Sequence, residues 1–384
     1  MIATKKLFYE NSYIFEFEAT CLECRPSKQG FEVLLDSTAF YPEGGGQHGD
    51  QGFIGDSRVC DTQERDGEIL HICDRPLETG YSYSCKIDRD RRLRGMREHS
   101  GEHIFSGHLH RLCNVENVGF HMGAEGVTVD FDKPLSHEEL LKAELCANKT
   151  IMQNLAIECF YPSEAEKISL DFRFKKEIEG NLRLVRIEGA DICACCGVHV
   201  ARSGEIGLIK VVSSESCRGG TRLLLKIGEA ALEDYQLKHD SLCRAGDLLS
   251  ANSKTLPDAV EKLLCANTQL KQALAGCQKK YCELLSDSIS ADEDFPLIFD
   301  EELSSRELSS LCDSLAKKCG RAAAFSGKDA TGYRYFICDK GNKALDMARL
   351  INSQLNGKGG GRPEAASGSL NAKESEIRQF FSDK

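Results

Sequence analysis

Residues 38–52 read TAFYPEGGGQHGDQG, in which three consecutive glycines follow a predicted strand. Because glycine has no Cβ, such a run allows the backbone to approach a ligand closely and to point its N–H groups at it. A flexible turn would not explain Thr38 before the glycines or Gln47 after them. The stretch therefore predicts a ligand-binding loop attached to a sheet.

The loop lies within a series of short runs with turns between them. Residues 31–35 (FEVLL) and 52–54 (GFI) have strand composition, and the pair Asp66 and Gly67 is typical of a hairpin turn. These patterns predict a small antiparallel sheet or β-barrel over residues 1–90.

From Arg91 onward the spacing of apolar residues changes from that of a strand to that of a helix. His99 and His103 are four residues apart in this helix, so both imidazoles lie on one face and could share a metal ion. Two histidines at this interval are also ordinary on a surface helix, and the pair alone is weak evidence.

A second pair strengthens the metal interpretation. Residues 195–199 read CCGVH, so that Cys195 and His199 are separated by a segment whose glycine allows a tight turn. Three imidazoles and one thiolate complete a tetrahedral site for a borderline-soft dication, and this donor set predicts zinc. Cys193 and Cys196 are rival thiolates that the sequence does not exclude.

Residues 99–103 (HSGEH) also fit the His-x-x-Glu-His pattern of inverzincin proteases. In that interpretation Glu102 is the general base, and a carboxylate further along completes the metal site. The pair Cys195 and His199 would then be unused, and glycine inside the helix costs about 1 kcal/mol against alanine. This interpretation stays open as an alternative.

The metal-binding residues fall in an α+β core predicted over residues 91–228. A second helix is expected to begin at Ser136, which forms a capping box with Glu139. Strands are expected in this core around residues 182–187, 206–212 and 223–227.

Residues 229–292 are helical in composition, with a break near Pro257. From Val260 to Leu284 apolar residues recur at alternating spacings of three and four, and Asn267 is the polar exception. A helical hairpin or coiled coil fits this pattern, and an internal pair or a homodimer would satisfy it equally well. An ordinary amphipathic helix would also resemble it over four heptads.

Residues 293–384 predict a compact α/β domain with a helix capped at Ser304. Near its end, residues 357–363 read GKGGGRP. Lys358 and Arg362 bracket the glycines and could help them to cradle a phosphate. A loop between helices is the alternative.

The composition limits the environment and the partners. The 384 residues carry a formal charge of −11, and no apolar run approaches the ~18 residues of a membrane span. Nineteen cysteines without a signal peptide predict reduced thiols and a cytoplasmic location. An acidic chain can still have a local basic face. The arginines that could meet phosphates at the start of the metal helix are Arg89, Arg91, Arg92, Arg94 and Arg97.

Three motifs, in this order, resemble the alanyl-tRNA editing proteins (the AlaX family) and the editing domain of alanyl-tRNA synthetase. They are the glycine-rich stretch at 38–47, the histidine pair and the half-site at 195–199. Residues 359–366 (GGGRPEAA) look like the DHHA1 domain that ends the long members of the family. No aminoacylation core precedes Met1, so the resemblance implies a free-standing editor.

The resemblance implies an α+β fold with an N-terminal small β-barrel, a zinc-containing editing core, a helical hairpin or coiled coil and a C-terminal α/β DHHA1-like domain. It also implies zinc-dependent hydrolysis of mischarged tRNA(Ala), carrying serine or glycine. The family's second half-site usually reads Cys-Gly-Gly-Thr-His. Cys196 and Val198 replace the first glycine and the threonine here, which leaves the fine specificity open.

Serine differs from alanine by one hydroxyl, and an editing site that requires the hydroxyl can discriminate by ~10⁴–10⁵. We predict that Thr38 is the partner of this hydroxyl and that Gln47 helps to hold the ester and water. The full set of predicted site residues is Thr38 and Gln47 for catalysis, Gly44, Gly45, Gly46 and Arg362 for substrate binding, and His99, His103, Cys195 and His199 as metal ligands.

Two other classes of function stay open. DHHA1 domains also accompany nucleic-acid phosphoesterases, although the Asp-His-His motif of those enzymes does not occur in this chain. A non-catalytic tRNA-binding or assembly module with a structural zinc is the other.

Overall fold

The computed structural model describes residues 4–174 and 182–382, which divide into two compact units, Met1–Arg244 and Ala245–Lys384. The division into four domains stays a prediction. The strands are β1 (Lys5–Lys6), β2 (Glu16–Ser27), β3 (Gly30–Leu35), β4 (Ser37–Thr38), β5 (Gly52–Ile54), β6 (Ser57–Arg65), β7 (Glu68–Cys73), β8 (Ser82–Ile87), β9 (Asn117–Gly123), β10 (Gly126–Phe131), β11 (Ile157–Phe160), β12 (Leu184–Ile187), β13 (Asp191–Ala194), β14 (Ile209–Cys217), β15 (Gly220–Ile227), β16 (Leu297–Asp300), β17 (Arg321–Lys328), β18 (Gly332–Asp339), β19 (Lys358–Gly361) and β20 (Ala365–Leu370). The helices are α1 (Leu7–Glu10), α2 (Arg89–Cys113), α3 (His137–Met152), α4 (Glu164–Ser169), α5 (Glu229–Leu249), α6 (Leu256–Ser288), α7 (Ser305–Cys319), α8 (Ala344–Gln354) and α9 (Glu374–Ser382).

Six strands near the amino terminus close into a barrel in the order β2-β3-β7-β6-β5-β8. Asp66 and Gly67 turn between β6 and β7 with φ values of 52° and 80°, which is the conformation expected of an Asp-Gly hairpin. The glycine-rich stretch lies between β4, which pairs with β1 outside the barrel, and β5, which is a strand of the barrel.

Helix α2 is the central element of the first unit and packs against α3, β13 and β15. Two glycines allow this close packing. A Cβ at Gly101 would lie 2.8 Å from a methyl group of Ile227, and a Cβ at Gly107 would lie 2.4 Å from the carbonyl oxygen of Ala190. The helix therefore carries its histidines into the interior, between two antiparallel sheets with the orders β14-β15-β10-β9 and β11-β12-β13.

The capping box of Ser136 and Glu139 begins α3 as the sequence predicts. The strand predicted from residue 206 is wrong at its start. A 3₁₀ turn covers Ser203–Ile206, Gly207 follows with φ of 89°, and β14 begins at Ile209.

A buried ion pair joins α2 to the glycine-rich stretch that precedes β5. The Arg92 guanidinium is fully buried and donates to the Asp50 carboxylate, with Nε 2.8 Å from Oδ2, and to the carbonyl oxygen of Ser12 at 2.9 Å. Asp50 also accepts from the backbone N–H of Tyr41 at 2.6 Å. Arg92 is consequently a structural residue, which corrects its prediction as a phosphate contact.

Other arginines at the start of α2 also have partners within the chain. Arg94 donates to Glu98 at 2.8 Å, and Arg97 donates to Glu229 at 3.2 Å. The positive charge predicted on this face is therefore partly neutralised.

Helices α5 and α6 are separated near Pro257 as predicted, and the proline occupies the first turn of α6, where a missing N–H is harmless. The heptad side chains of α6 are largely exposed; Leu270 and Leu284 are each 69% exposed. Pairing through this face, within the chain or in a homodimer, stays a prediction. None of the described helices is both long and apolar enough to cross a membrane.

The second unit contains a five-stranded sheet in the order β16-β17-β18-β20-β19. Helix α7 begins with the predicted capping box at Ser304. The glycine run is an edge strand, β19, rather than a loop between helices. Gly359 allows β19 to lie close to Tyr335, whose hydroxyl would be 2.6 Å from a Cβ there.

Candidate metal centre

The four predicted metal ligands come together although they are distant in sequence. Helix α2 carries His99 and His103, and the turn after β13 carries Cys195 and His199. One ligand atom from each residue lies within 4.8 Å of all the others. The histidine ring centroids are 4.6 to 5.2 Å apart. The arrangement can hold one metal ion.

Each histidine uses Nδ1 in a hydrogen bond, which leaves Nε2 for a metal. His99 Nδ1 is 2.9 Å from Gln47 Oε1, and His103 Nδ1 is 2.9 Å from Asp191 Oδ2. His199 Nδ1 is 3.1 Å from the hydroxyl oxygen of Ser100. Partners of this kind fix the ring orientation and the tautomer of metal-binding histidines.

The surroundings of the histidine Nε2 atoms favour a bound metal ion over a metal-free protein core. His199 Nε2 is buried and has no hydrogen-bond partner within the described part of the chain. Orphaned buried polar atoms are costly, and a cation would satisfy this one. His99 Nε2 lies 3.4 Å from Cys195 Sγ, so nitrogen and sulfur donors converge. Imidazole and thiolate donors suit a borderline-soft dication.

Electrostatics favour the ligating forms of Cys195 and His199. Burial alone would raise the pKa of the Cys195 thiol, but His99 and His103 lower it well below its usual range. Burial, together with the positive potential of His99, lowers the pKa of His199 to about 3. A thiolate and a neutral imidazole are the forms that bind metals.

The turn that carries Cys195 and His199 is held on several sides. Arg183 donates to the carbonyl oxygens of Cys195 and Gly197 at 3.0 and 2.9 Å, and Tyr9 donates to that of Cys196 at 2.9 Å. A Cβ at Gly197 would lie 2.1 Å from the His99 ring. The turn therefore needs glycine at this position to approach α2.

The rival thiols differ in position. Cys196 is exposed and lies outside the four-ligand group. Cys193 is buried and belongs to a second group, with His103 and Asp191. The geometry favours Cys195 as the ligand, with Cys193 behind His103.

Glu102 is buried and already engaged. Its carboxylate accepts from the Ser106 hydroxyl at 2.5 Å and from the Asn117 side-chain amide. The metal-ligand groups found in the described residues do not contain it. The protease interpretation, which needs Glu102 as a general base, gains no support from this geometry.

The glycine-rich loop lies beside the ligand helix. Gly44 and Gln47 close a tight turn by two backbone hydrogen bonds of 3.0 Å. Among the described residues, the N–H groups of Gly45 and Gly46 have no hydrogen-bond partner. Gly46 packs on Phe120, whose ring stacks on His99 at 5.1 Å. The loop can thus present two donors near the metal centre.

Gln47 and Thr38 have different surroundings. Gln47 is brought to the metal centre, where Oε1 accepts from His99. The Thr38 hydroxyl is fully buried and lies 2.8 Å from Nε2 of His71, which is on barrel strand β7. Because His71 Nδ1 faces the Val33 carbonyl at 3.0 Å, Nε2 is the acceptor and Thr38 donates to it. Its role in recognising serine stays a prediction, as does that of Arg362 in the second unit.

The sequence did not point to Asp191, Ser100 or Phe120. Asp191 lies four positions before Cys195 and is also bound by Arg173, with both nitrogen–oxygen distances 2.8 Å. Ser100 follows His99 directly, but the histidine spacing says nothing of the residues between the two histidines. Asp191 and Ser100 are polar residues close in sequence to the two pairs of metal ligands, and this proximity is the signal that could have identified them.

Three family profiles match the chain. The second additional domain of threonyl and alanyl tRNA synthetases matches residues 182–224, the class II (A) tRNA synthetases match residues 6–91, and the DHHA1 domain matches residues 294–383. These matches define a protein built from domains related to aminoacyl-tRNA synthetases.

Comparison with individual proteins narrows the similarity from aminoacyl-tRNA synthetases in general to alanine–tRNA ligases. The alanine–tRNA ligase of Pyrococcus abyssi is 30% identical over 96% of this chain and 42% of its own length. That of Ignicoccus hospitalis is 34% identical over 72% of this chain and 32% of its own length. The C-Ala domain of Aquifex aeolicus alanyl-tRNA synthetase matches 23% of this chain and 87% of its own, with 22% identity and a TM-score of 0.21.

The chain belongs to the alanyl-tRNA synthetase-related family that combines an editing-type domain with a DHHA1 domain. It spans less than half the length of these two relatives.

Separate substitution of the neighbouring residues Cys195 and Cys196 tests which thiol binds the metal. We expect Cys195→Ser to weaken metal binding by more than about a hundredfold, because loss of a supporting partner alone costs 10–100-fold. The full chain loaded with Co²⁺ should show a thiolate-to-cobalt absorption band that Cys195→Ser loses. Cys196→Ser is the matched control and should keep the band. Loss of the band in Cys196→Ser alone would contradict the assignment.

Proposed function

We propose that this chain is a trans-editing deacylase that hydrolyses the ester bond of mischarged tRNA(Ala), with serine as the leading substrate and glycine as the second. The observation that carries the proposal is the convergence of three imidazoles and one thiol beside a glycine loop with two free N–H groups. The family of the chain supports tRNA(Ala) as the partner. The proposed location is the cytoplasm.

We propose zinc as the metal of the centre, held by His99, His103, Cys195 and His199. Zinc commonly binds this donor set with tetrahedral geometry. When bound, it supplies Lewis acidity and a fixed point for orienting the substrate. Four protein ligands leave no open position for water, so the metal would organise the residues that orient the substrate rather than activate the attacking water.

The residues of the chain would act on the ester in two ways. The N–H groups of Gly45 and Gly46 would donate to the ester oxygen that gains negative charge when water attacks. Gln47 would fix His99 through Oε1 and leave its side-chain NH₂ as a donor beside the loop. The Phe120 ring covers His99 and limits the access of water to this side of the centre.

A structural metal is the alternative function, and the presence of four protein ligands favours it. Zinc sites with four protein ligands are often structural, whereas catalytic sites usually keep one position for water or substrate. The three histidines are at most 3% exposed, which agrees with either role. Measurement of ester hydrolysis separates the two.

Deacylation of three substrates tests the proposed function. The full chain should release the amino acid from Ser-tRNA(Ala), and from Gly-tRNA(Ala) if glycine is also accepted, far faster than from Ala-tRNA(Ala). Cys195→Ser and His103→Ala should lose this activity because the centre no longer forms, whereas Cys196→Ser should retain it. Recovery of intact tRNA after the reaction excludes phosphoester cleavage. Full activity after removal of the metal would show that the metal neither catalyses nor organises the reaction.

The predicted role of Thr38 has a separate test. Thr38→Val should reduce the ratio of seryl to alanyl ester hydrolysis roughly ten- to a hundredfold, the value of one buried hydrogen bond to a charged or strongly polar group. Thr38→Ser keeps the hydroxyl and should keep the ratio. The unfolding midpoint of each variant is measured as well, because valine leaves His71 Nε2 without its donor. An unchanged ratio in folded Thr38→Val would discard the role.

A further inference from the structure

A row of polar side chains crosses one end of the sheet in the second unit. Ser326 on β17 pairs with Arg334 on β18, Arg334 pairs with Ser369 on β20, and Ser369 pairs with Lys358 on β19. Residues directly opposite each other on neighbouring strands lie on the same face. Four consecutive strands therefore present a serine, an arginine, a serine and a lysine side by side.

This row borders an open cleft of about 470 Å³, and all four side chains line it. Helix α7 packs on the adjoining part of the same face, where Cys312 contacts the Phe336 carbonyl. The row lies next to the start of α7, since Arg334 donates to the Leu303 carbonyl at 3.3 Å. Arg334, Ser369 and Lys358 are exposed to solvent.

Ser326 is the unusual member of the row. The residue is only 2% exposed, and its hydroxyl oxygen has no hydrogen-bond partner within the described part of the chain. Burial of a hydroxyl without a hydrogen-bond partner is unfavourable. Because Ser326 lines the cleft, a ligand with acceptor oxygens that binds there can satisfy this hydroxyl.

The charges around the cleft favour an anion. In the described residues, neither Arg334 nor Lys358 forms an ion pair with a carboxylate, whereas Glu301, which also lines the cleft, is bound by Lys328 at 2.6 Å. Arginine binds phosphate oxygens through parallel N–H groups, and lysine binds them as a point charge. A hydroxyl, a guanidinium and an ammonium together match a phosphate group.

We propose that this cleft binds a phosphate group through Ser326, Arg334 and Lys358. The site is separate from the predicted contact at Arg362. Lys358 begins β19, and Arg362 follows its other end, where Gly361 pairs with Ala366. The proposal does not depend on the metal centre or on ester hydrolysis. The phosphate can be a phosphodiester of an RNA backbone or a free phosphate group, and both have the same acceptor chemistry.

Binding of two probes by the full chain tests the site. Inorganic phosphate is titrated by calorimetry against chloride at matched ionic strength, and a tRNA(Ala) transcript is titrated by filter binding. Arg334→Gln and Ser326→Ala should each weaken phosphate binding roughly ten- to a hundredfold. Arg349→Gln, which removes an exposed arginine from α8, is the matched control and should bind as the wild type does.

The two arms distinguish the sources of the phosphate. If both variants weaken phosphate and tRNA binding, the site takes an RNA phosphodiester; if they weaken phosphate binding alone, it takes a free phosphate. Ser326→Ala changes no charge and removes an unpartnered hydroxyl, so its unfolding midpoint should not fall. The proposal is overturned if wild-type protein shows no phosphate binding above the chloride control, or if Ser326→Ala and Arg334→Gln bind both probes as tightly as the control variant does.

Discussion

Close packing of helix α2 against the segments around it is the constraint on which the metal centre depends. Three glycines at intervals of six residues make this packing tight. Gly95 lies against Gln47, and Gly101 and Gly107 approach β15 and the start of β13. Glycine lowers helix stability by about 1 kcal/mol at each position. In return, His99 and His103 are held within reach of a turn almost a hundred residues further along the chain.

The three histidine rings are fixed by three chemically different partners. An amide oxygen, a carboxylate and a hydroxyl each bind one Nδ1 atom, and they come from the glycine loop, β13 and α2 itself. The loop therefore contributes to the centre through Gln47 while it keeps two N–H groups free. This double role connects the glycine loop, which continues into barrel strand β5, with the helix that supplies half of the ligands. The buried pair Arg92 and Asp50 joins the same two elements a short distance away.

The sequence predicts those features of the fold and the site that depend only on residues close to one another in the chain. The histidine spacing, the Cys-x-x-x-His half-site and the capping boxes at Ser136 and Ser304 are each contained within one turn, and the structure has all of them. Strands β9 and β10 were not predicted from the sequence, although Val127, Val129 and Phe131 alternate. The two strands form a hairpin with each other, and only the pairing of β10 with β15 joins segments that are distant in sequence. That the glycine run at the carboxyl end forms strand β19 was not predicted either, since its close contact with Tyr335 is invisible in the sequence. The partners Asp191 and Ser100 were missed for the same reason, as only the tertiary fold brings them to histidine rings.

The coordination of the bound ion tests the central claim most directly. X-ray absorption spectra of the zinc-loaded full chain should fit one sulfur ligand at about 2.3 Å and three imidazole nitrogens at about 2.0–2.1 Å. A shell with two sulfurs would mean that Cys193 or Cys196 binds as well. A shell dominated by oxygen would mean that the histidines and the thiol do not form one centre, and it would contradict the assignment of this site.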